Sequence, residues 1–284
     1  MIRQRFWLIL ILLLGFALRL TWLGEQSLWY DEGVTWLLSQ MSSLSTLIEW
    51  TAADIQPPLY YLLIWYSDIL LKSSEWALRF PSVVFNTLTI PVIYVLASRL
   101  LKRSLTASDS LPYRFNPALL AAFLFAISPL MVYYSQEARM YTLLVFEATL
   151  SSYLLIKILH PSFNQPTRRP LLYPILYALT ATAALYTHYF AAFLLTAQGL
   201  YALIILFQQG WSTTRIRDIG IMFGGAALLF APWLTTLLSR LSDDPSYWPG
   251  ALKLDEAFRK IVISFVVGET VFEETGFWLT GALL

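Results

Sequence analysis

Four short clusters of chemically active side chains interrupt an otherwise apolar chain. Trp29-Tyr30-Asp31-Glu32-Gly33 sets two carboxylates beside two large aromatics. Asp54-Ile55-Gln56-Pro57-Pro58-Leu59-Tyr60 sets an acid and an amide ahead of a proline pair. Tyr133-Tyr134-Ser135-Gln136-Glu137-Ala138-Arg139-Met140-Tyr141 places an acid and a guanidinium among tyrosines, and Tyr186-Thr187-His188-Tyr189-Phe190 holds one of only 2 histidines. A carboxylate such as Asp31 or Glu32 can take a proton from an attacking hydroxyl or amine. Arg139 can fork two donors onto a phosphate. His188, Glu137 and Asp31 are side-chain types that hold divalent ions. Each residue also has a plain reading. Acids at 31 and 32 suit a helix N-terminus. Arg139 suits a cation that snorkels or pairs with Glu137. His188 suits simple hydrogen bonding, and Pro57-Pro58 suits the start of a helix.

The elements that must position these groups are membrane helices. Hydrophobic residues make up 57% of the 284-residue chain and charged residues only 13%, against roughly 25% charged in soluble domains. No water-soluble surface can be built from this composition. The net charge of +1 gives no pull towards nucleic acid. The absence of cysteine excludes disulfides and thiolate metal sites. Eleven Trp and 16 Tyr suit a protein with two membrane interfaces. Apolar runs at 6–23, 76–99, 117–134, 140–159, 171–187, 189–208 and 219–238 predict an all-α bundle of about seven transmembrane spans. The first run is longer than the apolar core of a signal peptide, and Arg19 and Thr21-Trp22 follow it instead of small residues, so it is expected to be retained.

Segment 57–71 offers only about 15 residues where a span needs about 20, and fits an interfacial or re-entrant helix in a first outer loop at 24–75. Charge agrees. If 57–71 does not cross, Arg3, Arg5, Arg99, Lys102, Arg103, Arg114, Lys157, Arg168, Arg169, Arg215 and Arg217 gather on the cytoplasmic side with the N-terminus. The acids other than Asp109, Glu147 and Asp218 then fall on or near the outer side, as do the four motifs. Arg19 and Arg79, near the outer ends of their helices, are expected to snorkel. Glu147 lies about two turns below Arg139, where a charge costs roughly 3 kcal/mol or more, so it is expected to face the bundle interior. A last apolar run from Phe277 to Leu284 is too short to cross, and the chain is expected to stop inside an unfinished helix.

The ordered motifs Tyr30-Asp31-Glu32, Gln56-Pro57-Pro58-Leu59-Tyr60-Tyr61, Ala77-Leu78-Arg79-Phe80-Pro81-Ser82, Ser135-Gln136-Glu137-Ala138-Arg139-Met140-Tyr141 and Tyr186-Thr187-His188-Tyr189-Phe190 resemble those of the GT-C membrane glycosyltransferases. The resemblance is nearest to glycosyltransferase family 39 and the dolichyl-phosphate-mannose protein mannosyltransferase-like group, and more distant to the lipid A aminoarabinose transferases. It covers nearly the whole chain as one module. It implies transfer of a hexose or pentose from a polyprenyl-phosphate donor to a glycan, lipid or protein acceptor, with inversion, at the outer face of the plasma membrane. Asp31 matches the family's catalytic acid, with Glu32 beside it. Arg139 would meet the donor phosphate, and Glu137 would shape the site or a cation position. Asp54, Gln56, Tyr60, Tyr141 and His188 complete the expected donor-binding set. A divalent ion at Asp31, Glu137 and His188 is the one cofactor considered. Family members often carry His where Gln56 stands, so an ionic role there does not follow. Two other readings compete. A transporter or lipid flippase would show repeated halves and midplane sites, and neither is visible. The early stop admits a truncated, inactive paralogue.

Overall fold

The structure is a computed structural model that describes residues 2–54, 56–72, 74–104, 116–160, 170–243, 254–268, 275 and 278–281. Among these residues the regular structure is helical, without a strand. Of the expected cytoplasmic cations, Arg114, Arg168 and Arg169 lie outside the described residues, as do Asp109 and half of the terminal apolar run from Phe277.

Every expected span coincides with helix. α1 (Ile2–Leu20) is followed by three short helices, α2 (Tyr30–Ser39), α3 (Leu44–Ala53) and α4 (Leu59–Leu71). Then come α5 (Glu75–Ser104), α6 (Pro117–Ile127), α7 (Pro129–Ser135), α8 (Tyr141–Leu159), α9 (Leu172–Thr187) and α10 (Ala191–Gln209). α11 (Thr213–Ile219) runs through a π turn at Gly220–Gly224 into α12 (Gly225–Asp243), and α13 (Leu254–Val266) follows. Among the described residues, four stretches are long and apolar enough to cross a membrane, Glu75–Leu101, Tyr141–Leu159, Ala191–Gln209 and Thr213–Ser239. The α6–α7 pair, bent by 53°, makes a fifth. The expected seven is therefore not reached on length and composition. α1 carries Arg3, Arg5 and Arg19, and α9 has only 16 residues, about 24 Å of rise against a core of about 30 Å. α4, with 13 residues, is shorter still, as its sequence predicts.

α5 is the mast of the bundle, packing on α8 along one side and on α6 and α1 along another. Leu154, Leu155, Ile158, Tyr177, Ala202 and Met222 form one apolar core among α8, α9, α10 and the π turn. Ile11, Ile90, Ala122 and Ala126 form a second between α1, α5 and α6. The third lies where α2, α3 and α4 fold over the beginnings of α5 and α8, burying Leu38, Leu47, Tyr60, Tyr61, Ile64, Leu78 and Met140. Burying a Leu or Ile side chain fully contributes roughly 2 kcal/mol, so this last cluster fastens the short helices down.

Arg19 overturns the snorkelling expectation. It is fully buried. Its Nε donates to Asn86 Oδ1 (2.7 Å), and Nη1 donates to the carbonyls of Gly15 (2.7 Å) and Ala126 (2.8 Å). The cause is the bend. Pro129 has no N–H for the Phe125 carbonyl, and the kink parts Ala126 from its own helical donor. Arg19 supplies a donor to the Ala126 carbonyl, while the Phe125 oxygen, which also accepts from the Ser128 N–H at 3.3 Å, lies 3.4 Å from Nη2. Apart from Gly15, its partners are 67 to 107 residues away, beyond the reach of local sequence reasoning.

Candidate active site

The four motifs meet at the end of the bundle where α1 finishes and α8 begins. The turn 136–140 carries Arg139, and three elements hold it in place. Gln136 Nε2 donates to the Thr21 carbonyl at 2.7 Å. The Ala138 N–H donates to Glu32 Oε1 at 2.8 Å. Ser82 Oγ, on α5, donates to the Arg139 carbonyl at 3.3 Å, while the Tyr60 hydroxyl lies 3.1 Å from Ser82 Oγ. With its one hydrogen committed to Arg139, Ser82 accepts from Tyr60.

Asp31 and Glu32, adjacent in sequence, have different surroundings. Glu32 is 0% exposed. Its Oε1 accepts from Arg79 Nε (2.8 Å) and Ala138 N–H, and its Oε2 from Arg79 Nη2 (2.7 Å) and Trp29 N–H (3.4 Å). Arg79 donates onward to the carbonyls of Leu23, Gln26 and Ser27. It does not snorkel, because the loop between α1 and α2 folds over it and needs donors for those carbonyls. The pair joins that loop, α2, α5 and the Arg139 turn. Asp31 instead keeps a side chain 33% exposed and approaches Arg139, with Oδ2 to Nη2 at 3.4 Å.

Arg139 is 7% exposed. Besides Asp31 it has the Tyr141 ring beneath it, 5.8 Å from Cζ to centroid. Its Nε is buried without a hydrogen-bond partner. A buried donor left unpaired costs about 1–3 kcal/mol, so this edge of the guanidinium is prepared to receive an acceptor. Tyr61, which the sequence reading passed over, interacts with the Arg139 side chain. Burial pushes the Tyr61 hydroxyl up to about 12, against the pull of Arg139, so it remains a donor. The hint was the doubled Tyr60-Tyr61. Successive helical residues diverge by about 100°, and here one faces Ser82 and the other Arg139.

The remaining expected residues fall around this centre. Glu137 is buried, its pKa raised by that burial, with the Tyr133 hydroxyl bond acting the other way. His188 ends α9 and accepts from the Phe190 N–H at Nδ1, 3.1 Å. Burial first, then the Arg139 cation, hold His188 below its usual pKa, so it is uncharged at neutral pH. Thr187 beside it donates to Glu147 Oε1 at 3.1 Å. Glu147 faces the bundle interior, as expected, and ties α8 to the end of α9. Asp54 acts electrostatically on Tyr61 and Tyr189. Gln56 is half-buried before the buried Pro57-Pro58 pair. Tyr60 is buried, its hydroxyl engaged by Ser82. Tyr141 is half-buried and edge-on to Tyr134 at 4.9 Å.

The residues do not fit a divalent ion. Among the described residues no group of three or more His, Asp or Glu side chains is close enough to share one. Asp31 meets Arg139 instead, and a guanidinium supplies the positive charge there.

A sequence model of the family described as dolichyl-phosphate-mannose-protein mannosyltransferase matches residues 55–236. The match begins after Asp31 and Glu32 and takes in Gln56, Tyr60, Glu137, Arg139, Tyr141 and His188. No curated protein matches the chain. With close to two thirds of its length matched and a multi-pass helical fold, the chain belongs to the dolichyl-phosphate-mannose-protein mannosyltransferase family, membrane glycosyltransferases that draw on lipid-linked sugar donors.

Proposed function

We propose that this protein transfers a sugar from a polyprenyl-phosphate donor to an acceptor hydroxyl or amine at the outer face of the plasma membrane, with inversion. The carrying observation is Arg139, a buried guanidinium with a vacant Nε and a partly exposed carboxylate, Asp31, at 3.4 Å. The cytoplasmic N-terminus follows from the arginine and lysine distribution.

The donor phosphate takes over the Arg139 guanidinium, to which it presents two oxygens in a fork. Two anions cannot share those donors equally, so Asp31 is released towards the acceptor. The acceptor oxygen or nitrogen attacks the anomeric carbon opposite the phosphate. A new bond forms there as the bond from that carbon to the phosphate oxygen breaks. The electron pair leaves with polyprenyl phosphate, where Arg139 stabilises the growing charge. Asp31 accepts the proton from the nucleophile. Glu32 has no free lone pair to offer and serves as a positioning residue. Neutral His188 and protonated Tyr61 offer hydrogen bonds to the donor without adding charge.

The test is incubation of purified protein and its Asp31→Ala variant with a labelled polyprenyl-phosphate sugar. Wild type is expected to release or transfer the label, and the variant to do neither. Undiminished transfer by the variant removes Asp31 as the base.

A further inference from the structure

A second ligand region lies at the end of the bundle away from Arg139, where α1 and α6 begin side by side. The two helices meet closely at Gly15, where an added Cβ would stand 3.2 Å from Ala126 Cβ. From there towards Arg3 the lining side chains are larger, Leu14, Leu10 and Trp7 on α1 and Phe123, Leu120 and Leu119 on α6. Between the helices lies an open groove of about 470 Å³, walled by Leu10 and Leu14 of α1 and Leu120 and Phe123 of α6, with Trp7 and Arg3 at its mouth. Its run from Leu14 to Arg3 is roughly 16 Å at helical rise, about half the hydrocarbon thickness and so the depth of one leaflet. A cleft of about 340 Å³ adjoins it and shares Asn116. That cleft is the more polar of the two, with Gln4, Tyr94 and Ser98 beside Leu101, Pro117 and Ala118.

Apolar groove, cation at the mouth and polar cleft follow one another as acyl chain, phosphate and headgroup do in a phospholipid. We propose that this site holds an anionic phospholipid, one acyl chain in the α1–α6 groove, its phosphate on Arg3 and its headgroup among Gln4, Ser98 and Asn116. Arg3 supplies a forked donor for phosphate, and Trp7 at the same level is an interfacial aromatic. The site is distinct from the donor's. α1 has 19 residues, about 28 Å of rise, so a phosphate on Arg3 is a membrane's thickness from Arg139. The inference does not depend on the chemistry proposed there.

The protein would be embedded in nanodiscs of equal phosphatidylglycerol and phosphatidylcholine, released in mild detergent, and its retained lipids counted by native mass spectrometry. Both lipids offer Arg3 the same phosphate, so wild type is expected to keep phosphatidylglycerol over phosphatidylcholine by roughly fivefold, the effect of repulsion between Arg3 and the choline cation. Arg3→Ala is expected to erase that preference. Leu120→Trp, a change at an exposed position, fills the groove and should remove one retained lipid per protein. Circular dichroism and gel filtration show whether either variant is folded. Equal retention of both lipids by wild type, or phosphatidylglycerol retention unchanged in both folded variants, would overturn the proposal.

Discussion

Glu32 and Arg79 face each other through two hydrogen bonds, Nε to Oε1 at 2.8 Å and Nη2 to Oε2 at 2.7 Å, in a place water does not reach. Removing one partner strands the other's charge, which in buried pairs costs about 3–5 kcal/mol. Glu32→Gln also turns an amide donor towards groups that are themselves donors, Arg79 and the N–H of Ala138 or Trp29. Both Glu32→Gln and Arg79→Lys are therefore expected to lower the thermal unfolding midpoint strongly and to abolish transfer. Lysine keeps the charge but cannot fork. Tryptophan fluorescence during heating checks this, and a wild-type midpoint in either variant would contradict the clamp.

Asp31 differs from its neighbour because it is partly solvated and its ion pair is long. Arg139 is buried, but Asp31 is a third exposed and 3.4 Å away, so Asp31→Asn should lower the midpoint by less than Glu32→Gln does. Its effect on donor binding distinguishes it from Arg139. Removing the competing anion should leave donor affinity equal or higher, whereas Arg139→Gln should weaken it by roughly tenfold to a hundredfold, the loss of about 1.5–3 kcal/mol in charged hydrogen bonds. Equilibrium binding of a labelled donor reads both. Weakening of the same size in the two variants would contradict the exchange of partners at Arg139.

Glu137 carries a pH signature. Burial raises its folded-state pKa above the unfolded value. Such a group contributes stability below the unfolded pKa, and the contribution is lost as pH rises through the folded pKa. Glu137→Gln imitates the protonated form. It should match wild type near pH 4 and unfold at a higher temperature than wild type at pH 8. A wild type more stable than the variant at pH 8 would mean that Arg139 holds the ionised carboxylate instead.

The helices were legible because hydrophobic runs state their own length, and 57–71 was legible as too short to cross. The turn of Arg139 was legible as a cluster, but its proximity to Asp31 followed only from family resemblance, since 108 residues separate them. Arg19 and Arg79 were misread for one reason. Their partners are mostly main-chain carbonyls exposed by a proline bend and an irregular loop, and no side-chain pattern announces a carbonyl that lacks a donor. The different duties of Asp31 and Glu32 were hidden because a one-residue step on a helix turns one carboxylate to the surface and its neighbour into the protein. Asp31, Glu137 and His188 form no cation cluster among the described residues, and the Arg139 guanidinium pairs with Asp31.

The central claim is that Asp31 takes the proton in the transfer step. Single-turnover transfer by Asp31→Asn, with donor saturating, measures that step apart from binding. The predicted result is a bound donor, an intact fold and a rate slower by roughly 10²–10⁴, the range of general-base catalysis. A variant that transfers sugar at the wild-type rate would contradict it.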